Sequence, residues 1–278
     1  MSTHLLVIDP QNDFCDLPAD WCPLDPVTQS PHGPALPVPG AHRDLLRLSE
    51  WMQRQCRRID GITVTLDSHQ QLDIAHPGFW MTAGGDDVRP FQVVTVDDLQ
   101  QKRIQPRDSS LSEEVQAYVE ALESQGRYQL MIWPVHCQIG TWGHNLHDAV
   151  LAATNHWERQ QERSVQFVFK GTNRLTEHYS ALRAEVPRED DPTTQWNWPL
   201  IERLDQAASI MIAGQASSHC VRATVEHLVS QLPSGNPAKV TLLTDCMSPV
   251  AGFEAEAEAF LQSMQRLGVS CRTTGEVQ

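Results

Sequence analysis

Five short apolar runs, each bounded by polar or turn residues, recur along the chain: Leu5 to Ile8, Ile62 to Leu66, Val165 to Phe169, Ile210 to Ala213 and Val240 to Leu243. A weaker sixth covers Val269 to Thr273. Runs this short, rich in branched residues and cut off by turn formers, predict buried strands. The stretches between them follow a helical period. Leu45, Leu48, Met52 and Ile59 share one face, as do Val221, Val225 and Leu228, and then Phe260, Met264 and Leu267. Strands alternating with amphipathic helices predict an α/β fold, a three-layer αβα sandwich around a mostly parallel, Rossmann-like central sheet.

Such a sheet binds ligands beyond the carboxyl ends of its strands. The residues to examine are therefore Asp9, Asp67, Trp133 to Cys137, Lys170, the turn from Gly214 to Cys220, and Asp245. Two stretches break the repeat. Residues 16–40 hold seven prolines and read as an extended surface excursion. Residues 77–128 begin Pro77, Gly78, Phe79, Trp80 and then turn polar and acidic up to a helical run near Leu111 to Leu122. A segment of that length inside a compact domain is expected to be a lid, a wall of the site or an oligomer contact. The expectation is one domain over residues 1–278, with insertions at about 16–40 and 77–128.

Composition narrows the partners. Acidic residues outnumber basic ones by 35 to 21, and the basic ones form no stripe, so neither nucleic acid nor an anionic membrane is expected as a partner. No run approaches the roughly 18 apolar residues of a membrane span. The first residues enter a strand without the pattern of a secretory leader, which makes a cytoplasmic location the expectation. Seven cysteines, scattered and without a Cys-x-x-Cys pair, argue against a disulfide framework and leave a thiol free for chemistry.

The passage Ile210 to Thr224, IMIAGQASSHCVRAT, runs from a strand through a small-residue turn into a helix that opens at Cys220. The field at a helix N-terminus is expected to lower the thiol pKa, and free backbone N–H groups there suit an oxyanion. A lone cysteine in that place is more often just a small buried hydrophobe. Asp9 as general base and Lys170 as a stabilising charge, both at strand ends, change the balance. Asp67 and His69, two apart at a strand end, can point the same way, with His76 seven residues on and His136 expected at another strand end. One carboxylate and up to three imidazoles suit zinc, iron or manganese. Asp73, in the same loop, competes with His76 as a ligand, and His144 and His147 are expected on a helix surface.

Five passages, LLVIDPQNDF at 5–14, TLDSH at 65–69, WPVHC at 133–137, FKG at 169–171 and SSHCVRAT at 217–224, resemble in the same order the successive motifs of nicotinamidases, a branch of the isochorismatase-like hydrolases. The resemblance implies the isochorismatase-like hydrolase fold and a metal-dependent cysteine amidohydrolase that converts nicotinamide to nicotinate and ammonia through a thioester. It implies Cys220 as nucleophile, Asp9 as the group that takes its proton and passes it to ammonia, and Lys170 as stabilising charge. It further implies a non-proline cis peptide at Gln215 and Ala216, and an oxyanion hole from the amides of Ala216 and Cys220. Asp67, His69, His76 and His136 would hold a divalent ion, zinc before iron or manganese, which would anchor a ring nitrogen. Phe14, Trp133 and Tyr179 would flank the substrate ring, and the protein would be a homo-oligomer. Ser218, Gln215, the insertion after His76 and the acidic stretch 185–198 depart from the family pattern and bear on the substrate. The alternatives are another small amide or carbamoyl compound on the same triad, and a catalytically silent binding protein of this fold.

Overall fold

The structure is a computed structural model that describes residues 2–277. All six apolar runs become strands: β1 Thr3–Ile8, β2 Gly61–Asp67, β3 Gln166–Lys170, β4 Ser209–Gly214, β5 Val240–Leu243 and β6 Ser270–Arg272. They form one sheet in the order β6-β5-β4-β1-β2-β3, and every neighbouring pair is parallel. Leu5, Leu6, Val7 and Ile8 of the central β1 are all fully buried, which explains an unbroken apolar run where a sheet with one wet face would alternate.

The main helices are α1 Ala41–Arg54, α2 Ser112–Ser124, α3 Asp148–Gln161, α4 Trp198–Gln206, α5 Cys220–Gln231 and α6 Glu254–Arg266. With the right-handed crossovers that parallel sheets adopt, this strand order sets α1 and α3 on one face of the sheet and α4, α5 and α6 on the other, giving three layers. α1 packs along α3, and α5 against α6. No described helix is long and apolar enough to cross a membrane. Two residues assigned to helical faces lie outside the helices. Ile59 is buried in the loop after α1, and Leu267 is exposed because α6 stops at Arg266 and Gly268, at φ +94°, turns the chain back.

From β1 the chain builds outward to β3 and then returns to lay β4 on the other side of β1. The crevice between β1 and β4 is where the winding reverses, the usual ligand position in a sheet of this kind.

The two insertions pack more than their composition suggests. In the first, residues 16–40, most side chains are exposed, but Leu36 and Val38 are buried and Val38 N–H donates to Phe14 O. The second builds an apolar cluster of its own around Trp80, Ile104, Val115, Val119 and Leu122, closed by Leu130 and Ile132. There Leu130–Met131 pairs antiparallel with Val93–Val94, apart from the central sheet. The WPVHC passage therefore does not follow a central strand, as expected for His136. The apolar residues before it serve the second cluster, and Pro134, lacking an N–H, cannot extend the pairing.

Candidate active site

Asp9 follows β1 in a left-handed conformation, φ 44°, with no exposed surface. Thr65 of β2 holds it twice: Oγ1 accepts from Asp9 N–H at 3.1 Å and donates to Asp9 Oδ1 at 2.5 Å. Across the crevice, Gly214 ends β4 at φ +124°, and a Cβ there would lie 2.0 Å from Ile8 O, so only glycine lets the two strand ends meet. The next peptide bond, Gln215–Ala216, is cis. The turn then delivers Cys220 as the first residue of α5. The Ala216, Ser218 and Cys220 N–H groups have no acceptor among the described residues, whereas the Gln215, Ser217 and Val221 amides are taken. Free donors beside a helix start suit a developing oxyanion.

Lys170, at the end of β3, reaches back over the end of β2. Its Nζ lies 2.9 Å from Asp9 Oδ2, 2.9 Å from Asp67 Oδ1 and 3.5 Å from Cys220 Sγ, and donates to His178 O at 3.0 Å. Burial raises the Asp9 pKa above the ordinary carboxylate value, with Lys170 opposing. Burial opposes charge on Asp67 too, but His69 and Lys170 hold its carboxyl well below that value. Burial likewise works against a charged Lys170, and Asp67 with Asp9 still carries its pKa well above the lysine norm.

The Cys220 thiol departs from the expectation. Burial pushes its pKa well above the normal thiol value, Lys170 pulls it down, and Asp9 and Asp67 push it up again. Desolvation and two nearby carboxylates thus work against the charged form, the opposite of the shift expected from the helix N-terminus.

The second cluster adjoins the first through Asp67. Its Oδ2 lies 3.1 Å from His69 Nε2 and 3.6 Å from His136 Nε2. One ring nitrogen from each of His69, His76 and His136 lies within 4.8 Å of the others, and all three rings are buried. His76 Nδ1 is 3.1 Å from Gln70 O and His136 Nδ1 is 2.8 Å from Pro134 O. Carbonyls can only accept, which favours the proton on Nδ1 of both rings; His136 Nε2 keeps its lone pair, while His76 Nε2 faces the His136 N–H at 3.4 Å and His136 Nδ1 at 3.3 Å. Asp73 lies 3.2 Å from His69 Nδ1, on the far side of that ring from Asp67. Three imidazoles and one carboxylate, two of the rings preset by carbonyls, make a donor set that suits a divalent ion.

A slot of about 20 Å³ touches both clusters, lined by Asp67 and His136 together with Cys220 and Ala216. Phe14, Trp133 and Tyr179 line it, and Trp133 Nε1 donates to Tyr179 Oη at 3.2 Å. A larger cleft, about 760 Å³, lies alongside between the second insertion and α5; it shares Tyr179 and His219 with the slot but does not contain the thiol.

Some sequence-based expectations do not hold. His144 and His147 are neither exposed nor helical. His144 is buried with its Nε2 2.9 Å from Ser68 Oγ, and His147 is buried at the N-cap of α3, because the chain closes over the ends of β1 and β2 there. Asp245 stays outside the site, its carboxylate accepting from Thr274 N–H at 2.8 Å and Thr274 Oγ at 2.7 Å. Thr65 and Glu177, which borders the slot, were missed. Thr65 stands two residues before Asp67, but nothing in a strand-forming threonine marks it as the partner of a carboxylate 56 positions away.

No protein-family model matches the chain. A nicotinamidase from Saccharomyces cerevisiae is 25% identical over 252 residues, covering 89% of this chain and 88% of the relative. A solved nicotinamidase pyrazinamidase from Acinetobacter baumanii superposes with a TM-score of 0.63 at 18% identity, covering 100% of this chain and 98% of that one. A pyrazinamidase from Pyrococcus horikoshii in complex with zinc does so with a TM-score of 0.53 at 18% identity, covering 98% and 99%. The fold is thus the isochorismatase-like α/β fold, and the resemblance to nicotinamidases extends over nearly the whole chain.

Proposed function

We propose that the protein is a metal-dependent cysteine amidohydrolase that converts nicotinamide, or a close heteroaromatic amide such as pyrazinamide, to the carboxylate and ammonia. The observation that carries this reading is the sharing of one buried ammonium by two carboxylates beside a thiol, at a slot flanked by aromatic rings.

In this reading the substrate lies between Phe14, Trp133 and Tyr179 with its carbonyl carbon against Cys220 Sγ. Asp9 takes the thiol proton as sulfur attacks, and Lys170 stabilises the charge that moves onto the thiolate. The carbonyl oxygen, now an oxyanion, accepts from the Ala216 and Cys220 amides. As the tetrahedral adduct collapses, the carbon–nitrogen bond breaks and Asp9 gives its proton to the departing nitrogen, releasing ammonia and leaving a thioester on Cys220. Asp9 then deprotonates a water that attacks the thioester. The carbon–sulfur bond breaks, the acid leaves, and the proton returns to sulfur. Asp67, His69, His76 and His136 would hold the divalent ion, zinc first, which when bound supplies a Lewis-acidic anchor for a ring nitrogen. Thr65 keeps Asp9 aimed, and the buried slot excludes bulk water.

The same reading carries a cytoplasmic location, where a nucleophilic thiol stays reduced, and a homo-oligomeric state, to be read by sedimentation. The deciding assay is ammonia release from nicotinamide, pyrazinamide and a panel of small amides and carbamoyl compounds, by the wild type and Cys220→Ala, before and after chelation. Nicotinamide turnover that is lost in the variant and reduced by chelation is expected. Activity confined to another amide moves the substrate and keeps the chemistry, and an inactive wild type across the panel overturns the reading.

A further inference from the structure

The reaction above leaves one acid of the slot without a task. Glu177, in the loop after β3, borders the same slot as Asp67, His136 and Cys220 and is only 3% exposed. Its Oε1 accepts the His178 N–H at 3.0 Å, and its own N–H donates to Tyr118 Oη of α2, also at 3.0 Å. The backbone around the carboxyl is therefore held from two sides. Oε2 is buried and has no partner among the described residues. An acceptor of that kind is costly to leave dry, and in a cavity wall it is met by a donor that arrives with the ligand. Glu177 shares the wall of the slot with Asp67 and His136, two of the residues that would hold the ion.

We infer that Glu177 is a specificity-determining residue, whose Oε2 accepts a hydrogen bond from a donor on the substrate ring beside the ring nitrogen. The preferred substrates are then heteroaromatic amides bearing an amino or similar N–H or O–H group at that edge. This rests on the reading of the slot as an amidase site with the ring anchored at the imidazole cluster. Nicotinamide offers no such donor, because both of its N–H bonds belong to the carboxamide at the thiol. A methyl group at the same ring position has nearly the size of an amino group but leaves Oε2 unpaired. A site built to accept a hydrogen bond rejects an analogue that lacks the donor, here by about 10- to 100-fold.

The test compares kcat/KM for 6-aminonicotinamide and 6-methylnicotinamide on the wild type, Glu177→Gln and Glu177→Leu, with thermal unfolding and zinc content measured on each. The wild type is expected to favour the amino compound by about 10- to 100-fold, chiefly through KM. The preference should shrink in Glu177→Gln and vanish in Glu177→Leu, with zinc content unchanged. A wild-type ratio near one, a ratio that survives in Glu177→Leu, or loss of zinc without a change in the ratio overturns the inference. Calorimetric binding of both compounds to zinc-loaded Cys220→Ala separates this from failure of the amidase reading. If no amide is turned over but the amino compound binds more tightly, and a second change at Glu177 abolishes the difference, recognition stands without the reaction; equal binding overturns it.

Discussion

Lys170→Met removes the single ammonium between Asp9 and Asp67, whose oxygens each lie 2.9 Å from Nζ, at a site only 1% exposed. Methionine keeps most of the length of the side chain, so the loss is chiefly of charge. Removing one partner of a buried ion pair costs about 3 to 5 kcal/mol, because the remaining charge stays desolvated. With an unfolding entropy of about 2.1 cal/mol/K per residue over 278 residues, that is a fall in Tm of roughly 5 to 9 °C. The deficit should depend on pH. Burial already raises the Asp9 pKa and Lys170 alone among the nearby charges opposes it strongly, so the variant's folded-state value rises further while the unfolded value is unchanged. A carboxyl whose folded pKa lies above its unfolded one contributes stability below the unfolded value and loses it as pH rises through the folded value. Lys170 in the wild type, with its pKa raised, keeps its contribution throughout that acidic to neutral window. Thermal unfolding at about pH 4.5 and about pH 8 should therefore show the larger deficit at the higher pH. Turnover should fall about a hundred- to thousandfold. A Tm change under about 2 °C, or a deficit that grows toward low pH, refutes the shared-ammonium argument.

Thr65→Val removes the 2.5 Å donor to Asp9 Oδ1 and should lower kcat by about tenfold or more with little change in KM; an equal rise in KM would point to a distorted slot instead. Gly214→Ala places a Cβ 2.0 Å from Ile8 O at φ +124°, and should cost more than about 3 kcal/mol in denaturant unfolding, an ordinary denaturation midpoint refuting the close approach. Asp73→Asn, acting through His69 at 3.2 Å, should weaken zinc binding about 10- to 100-fold in competition with a chromophoric chelator, and unchanged affinity would show that Asp73 does not orient the ring.

The apolar runs by themselves determined the six strands, their boundaries to within a residue or two, and the parallel class of the sheet. For the inner strands they did so because a strand buried on both faces must be apolar throughout, a property of neighbours along the chain, whereas the edge strand β3 leaves Phe167 and Phe169 exposed. The strand-end rule then singled out Asp9, Asp67, Lys170 and Cys220, although it also offered Asp245, which the fold directs elsewhere. Only the tertiary structure decided what these residues do to one another. Lys170 sits two strands from Asp9, a span of about 10 Å at the ordinary strand spacing, and meets it because a long side chain crosses over the end of β2. The second insertion looked polar because its apolar residues are spaced to fill a separate small cluster, and that cluster took the segment before WPVHC away from the main sheet. The thiol's raised pKa, the burial of His144 and His147, the hold of Thr65 on Asp9 and the unpaired oxygen of Glu177 were all invisible in the sequence. Each depends on how much water the packed chain excludes and on which groups from distant segments fill its place, and neither quantity is a property of local order along the chain.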